Sequence, residues 1–131
     1  MDFTGLDAAS ARAFAERWLP AWTGNDPLRL VAFYTDAAFY SDPAVPGGIQ
    51  GRQALLYYFM ALLARNPDSV WRHTGSIPLE EGFLNFWHAS IPVEKEVVEV
   101  DGVCAVQLRG NLISANRVYF DRTELARSVN P

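Results

Sequence analysis

The chain reads as an α+β domain, with helices gathered early and packed on one face of a curved sheet built mostly by the second half. Three observations lead there. Apolar residues recur at helical spacing before residue 66 and in strand-like runs after residue 69. Gly, Pro, Asn and Asp cluster between these segments rather than inside them. Half of the 131 residues are hydrophobic and 20% are charged, enough apolar surface to fold one domain over residues 1–131. Helices first and strands afterwards specify an α+β layer arrangement.

The elements follow in order. Asp7 is the expected N-cap of a first helix over 8–19, whose apolar stripe is Ala11, Phe14, Ala15, Trp18 and Trp22. Pro20 falls inside that stripe and should kink the helix or end it early. Gly24-Asn25-Asp26-Pro27 stops one helix and starts the next, expected over 27–34. Residues 38–41 (AFYS) form a strand closed by Asp42-Pro43. Residues 42–51 hold two Pro and three Gly and read as a loop. A third helix over 52–65 is apolar nearly all round, which predicts burial on most faces. Four strands follow: 69–77, ended by Pro78; 83–93, after the turn Glu80-Glu81-Gly82; 96–108; and 112–120, after Gly110-Asn111. Asp101-Gly102, inside the third of these, is expected to be a bulge, since a turn there would leave two very short strands.

Composition excludes several functions. Eleven basic and fifteen acidic residues give a net charge of −4, with no basic cluster to meet a nucleic-acid backbone. The longest apolar run, 54–64, is too short for a membrane span. Asp2 and Asp7 with no basic n-region argue against a signal peptide. Cys104 is the only cysteine, so an internal disulfide and a Cys-based metal site are both ruled out, and a reducing cytoplasm fits best. His73 and His88 have no second metal ligand near them, and Gly47-Gly48 is followed by no phosphate-binding pattern, so neither a metal nor a cofactor is expected. What stands out is aromatic: four Trp, five Tyr and eight Phe.

The stretches ERWLPAWTGND, FYTDAAFYSDP, GRQALLYYF and GNLISANRVYFDRTEL, in this order and spacing, resemble the nuclear transport factor 2-like superfamily over about residues 14–125. Within it the SnoaL-like polyketide cyclases and the ketosteroid isomerases are most similar. The resemblance implies a cone-shaped barrel, α-α-β-α-β-β-β-β, in which a strongly curved, mostly antiparallel sheet wraps the helices. It implies a small hydrophobic molecule in the open end and a homodimer formed through the sheets.

Asp42, in FYSDP, stands where the isomerases keep the carboxylate that moves a proton between carbons. A carboxylate at the mouth of an aromatic cavity is desolvated, as a general base needs; the alternative is a turn residue bonding its own backbone. Trp18 occupies the place of the isomerases' oxyanion tyrosine, and Cys104 that of their protonated acid. Each lost oxyanion donor costs roughly 10²–10³ in rate, which argues against ketosteroid isomerase activity. Asn116 shares a face with Ser114, Val118 and Phe120, as either a substrate-orienting amide or a core amide. His73 shares a face with Trp71 and either assists Asp42 or is a structural histidine. Of Trp87 and His88, Trp87 is expected inward. Trp22, Tyr40, Tyr58 and Phe59 complete the expected pocket wall, together with Trp71, Trp87 and Phe120. Asp121 reads as a cap of the following TELA turn rather than as a catalytic group.

Three functions remain open: cofactor-free isomerisation or cyclisation with Asp42 as base; a ligand-binding module without chemistry; or a dimerising domain with a filled cavity. Epoxide hydrolysis ranks below these, because no Asp–Arg–Asp set falls on inward strand positions.

Overall fold

The computed structural model describes residues 7–121. Helix α1, Ala8–Trp18, begins where the Asp7 side chain accepts the Ser10 amide at 2.7 Å. Its buried stripe is Ala11, Phe14, Ala15 and Trp18. Pro20 ends it: the chain tightens into a 3-10 turn, Leu19–Trp22, which still carries Leu19 and Trp22 into the interior. Helix α2, Pro27–Val31, is capped by Asp26, which accepts from the Arg29 amide at 3.1 Å. It stops short of residue 34 because the first strand already starts at Tyr34.

The strands are β1 (Tyr34–Asp42), β2 (Val45–Gln50), β3 (Val70–Leu79), β4 (Gly82–Val93), β5 (Glu96–Arg109) and β6 (Leu112–Phe120), with helix α3 (Arg52–Arg65) between β2 and β3. They form one sheet in the order β2-β1-β6-β5-β4-β3. Every neighbouring pair is antiparallel except β1 and β6, which run parallel. The α+β arrangement is as expected from the sequence, with one strand more. Among the described residues no helix is long and apolar enough to cross a membrane.

Four local readings need correction. Residues expected as a loop contain β2, because a sheet edge tolerates Pro46 and two glycines. Gly48 has a positive φ of 87°, and a Cβ there would overlap the Phe39 ring, whose face also carries the Arg117 guanidinium at 4.9 Å. Pro78 does not end β3, since β3 is the other edge and its free side needs no amide hydrogen. Helix α3 buries only Leu55, Phe59 and Leu63, at four-residue spacing, while Tyr57 and Met60 are 62% and 48% exposed. It packs on β1, β2 and α2 and keeps its other side open to solvent. Finally, Asp101-Gly102 is neither bulge nor turn, for the β4–β5 register runs through it unbroken. Glycine is required there because a Cβ would overlap the Trp87 indole, which lies across the strand from it.

The inner face of the sheet is built in rows fixed by this register. Trp87, Gly102 and Phe120 form one row; Asn85, Cys104 and Val118 the next; Phe83, Val106, Asn116 and Tyr40 a third. The helices close over these rows, and Trp18, Trp87, Tyr34, Tyr40, Phe59 and Phe83 are the largest fully buried side chains.

Candidate functional site

Between the 3-10 turn, α3 and the inner sheet face lies a cavity of about 40 Å³, room for about three waters or one compact group of a few heavy atoms. Aromatic rings make most of its wall. Tyr40, Trp22, Trp71, Trp87 and Phe120 follow one another with centroid spacings of 6.3, 5.5, 5.0 and 5.6 Å. Tilts of 36° to 69° turn each ring against the next. Leu19, Leu62 and Val118 fill the gaps. The indole nitrogens of Trp22, Trp71 and Trp87 have almost no accessible surface, so ring carbons form the wall. A second lobe of about 70 Å³ lies beyond Leu62, Trp71, Trp87 and Phe120, which line both, and continues toward Ser69 and Ile91.

Among the described residues Asp42 is the one acidic or basic residue on the wall of the inner lobe. It ends β1 and is 7% exposed. Its Oδ2 accepts from the Tyr40 and Tyr58 hydroxyls at 2.8 and 2.7 Å. Its Oδ1 accepts from the Ala44 and Val45 amides at 2.8 and 3.1 Å. All four acceptor positions of the carboxylate are thereby taken. All four donors are neutral, and Asp42 joins no ion pair among the described residues. Burial, reinforced by the neighbouring Asp42 charge, holds the Tyr40 phenol well above its usual pKa, so it remains a donor.

The other expected site residues divide. Cys104 lies on the wall, and burial pushes its thiol up to about 12, against the weaker opposing influence of the Trp87 indole and Asn85 amide. It is a thiol at neutral pH and no nucleophile. Tyr58 reaches the site through its bond to Asp42 rather than through the wall. Trp18, Phe59 and Asn116 are wholly buried but off the wall. Trp18 packs on Phe14, Trp22 and Phe83, and Phe59 on Trp22, Tyr34 and Tyr40. The Asn116 amide donates to the Tyr34 hydroxyl at 3.1 Å, forming a polar pair within the core.

His73 does not meet Asp42. It is half-buried, and its Nδ1 pairs with Asn85 Oδ1 at 2.7 Å, off the cavity wall. Trp87 is 2% exposed and on the wall, while His88 points to the opposite face of the sheet. There it meets Asp101 and Glu99 at 2.8 and 2.6 Å. Asp121 is exposed just past β6, and the TELA turn lies outside the described residues. Leu19, Leu62 and Ser69 escaped the sequence reading. Leu62 follows Tyr58 by one helical turn, which was the available signal. Among the described residues no cluster of His, Cys, Asp and Glu is placed to hold a metal.

The geometry matches known folds. A structure from Catenulispora acidiphila with a ketosteroid isomerase-like fold, in complex with trimethylamine, is 20% identical, covering 90% of this chain and 93% of that one at a TM-score of 0.76. A candidate SnoaL-like polyketide cyclase from Jannaschia sp. is 10% identical, covering 95% and 94% at 0.78. Another from Shewanella putrefaciens is 11% identical, covering 91% and 84% at 0.74. At such identities the likeness is one of fold alone. No curated protein matches the chain. The family model described as the SnoaL-like domain matches residues 15–116, most of the helices and all but the end of the sheet, and the chain belongs to that family.

Proposed function

We propose that this domain binds one small, largely apolar molecule in the aromatic cavity, held against Asp42. The carrying observation is a wall of five aromatic rings with a single buried carboxylate among them. That is the composition of a small-molecule site, mostly apolar with few placed polar groups. A cavity of about 40 Å³ favours a compact molecule over a fused-ring substrate. The trimethylamine bound to the Catenulispora relative is a ligand of that size class. Proton transfer by Asp42 is the second reading, supported by its place on the wall; a base there must first release one of its four donors, and of the two phenols the half-buried Tyr58 is the less enclosed. Two copies pair through the outer sheet face, where Ile77, Phe86 and Tyr119 stay 49%, 36% and 55% exposed, and the lone buried cysteine suits a cytoplasmic setting.

The test is a titration of small apolar molecules followed by tryptophan fluorescence and by the indole resonances of Trp22, Trp71 and Trp87. Binding should move those three and leave Asp42→Asn with altered affinity. A panel that moves none of them would overturn the reading. For a turned-over substrate, Asp42→Asn with unchanged kcat removes Asp42 from the chemistry.

A further inference from the structure

Asp42 presents an electrostatic problem that its own surroundings leave open. A carboxylate buried to this degree is normally paired with a cation, because desolvating a lone charge is costly. Here two phenols and two backbone amides supply every hydrogen bond, and no Arg, Lys or His among the described residues pairs with it. The missing positive charge has one enclosed place to sit, the cavity that Asp42 lines.

We infer that the cavity takes a small quaternary ammonium ion, with its charged head in the inner lobe among Tyr40, Trp22, Trp71 and Trp87. The inference rests on the cavity being a ligand site and names the ligand's class. Three features of the site select it. Aromatic rings attract a cation through their quadrupoles, and more strongly when water is excluded. Wall carbon rather than indole nitrogen faces the cavity, so no N–H dipole repels the cation. The carboxylate has no acceptor position left, so a primary ammonium, which must donate hydrogen bonds, goes unsatisfied there. A quaternary ammonium, with no N–H, needs only the field of the charge. Size restricts the ion to the smallest of its class: a tetramethylammonium head has five heavy atoms, more than the room for about three waters in the inner lobe, so it must also use the neighbouring lobe that shares Leu62, Trp71, Trp87 and Phe120 as wall. The net charge of −4 adds a weaker, general attraction for cations.

The experiment compares four probes by calorimetry and by the Trp22, Trp71 and Trp87 indole resonances, at constant ionic strength. They are tetramethylammonium, choline, methylammonium, and 3,3-dimethylbutan-1-ol, the neutral carbon isostere of choline. Choline and tetramethylammonium should bind at least tenfold more tightly than the isostere and than methylammonium. If the isostere binds as tightly as choline, the cation inference falls and the small-molecule site stands. If methylammonium matches tetramethylammonium, the filled-acceptor argument falls and the inference with it. If no probe moves the three indoles, both fall. Asp42→Asn should abolish the preference for choline over its isostere. Because Asp42 also holds the turn into β2, Trp71→Leu gives an independent check: it keeps the carboxylate, and choline should weaken at least fivefold while the isostere changes less.

Discussion

Gly102→Ala isolates the packing that shapes the cavity wall. A Cβ at this position would lie 2.6 Å from Trp87 Cη2 and closer still to two other ring atoms. Carbon atoms in contact prefer about 3.5–4.0 Å, so the indole must move by roughly 1.5 Å. It has little freedom to do so, with Trp71 at 5.0 Å and Phe120 at 5.6 Å between ring centroids. Overpacking of this kind costs about 2–3 kcal/mol. Against it stands a gain of about 0.5–1 kcal/mol, because Gly102 has no positive φ and alanine restricts the unfolded chain. The net loss is about 2 kcal/mol, which for a chain of this size lowers Tm by roughly 7 °C. Far-UV circular dichroism in urea and on heating measures it without relying on the tryptophan signal. The control is the same substitution in a Trp87→Leu background. With the ring gone only the favourable part remains, so Gly102→Ala should become neutral or stabilising. An equal loss in both backgrounds would refute the assignment of Gly102 as the seat of Trp87.

His88 should make stability depend on pH in a defined direction. Hydrogen bonds to Asp101 and Glu99 raise its pKa above the ordinary 6.5, so protonated His88 stabilises the fold below that value and the contribution fades as pH rises through the raised one. Urea midpoints of wild type and His88→Gln should differ more near pH 6 than near pH 9, and an equal difference at both would contradict the pairing. Cys104, buried and pushed up to about 12, should resist a thiol-directed disulfide reagent in the folded protein and react fully in denaturant; rapid native labelling would show that the cavity opens. Tyr40→Phe removes a hydrogen bond to the Asp42 carboxylate and should cost about 1.5–3 kcal/mol in urea denaturation, and no loss would mean that Tyr58 and the two amides satisfy Asp42 alone.

Much of the fold was legible because its signals are local. Asp7 and Asp26 cap where their neighbours predict, and Gly110-Asn111 turns the chain between β5 and β6. Misreadings came where tertiary position overrides local preference. The stretch Val45–Gln50 is poor strand sequence and survives as an edge, and Pro78 is tolerated for the same reason. Gly102 looks like punctuation in sequence and is in fact a place cleared for a side chain on the next strand. At the site, alternation in β4 and β6 placed Trp87 and Phe120 on the inner face. It could not separate Trp18 or Asn116 from the wall, since a buried core position and a lining position have the same period. Nor could it show that Asp42 meets Tyr58, sixteen residues away on α3, because no pattern in one segment reports a contact with another.

The parallel pairing of β1 with β6 sets an order of events in time. Tyr40 lies beside Asn116, across more than half the length of the chain. The meander from β3 to β6 joins neighbours through short turns and can form as soon as those residues are made. β1 is synthesised early and must wait for the last strand before its second neighbour exists. Such late, long-range closure slows folding and leaves apolar surface open meanwhile. Until β6 arrives, α1 can pack on β3 and β4, but β1 keeps an open edge beside Tyr34 and Tyr40.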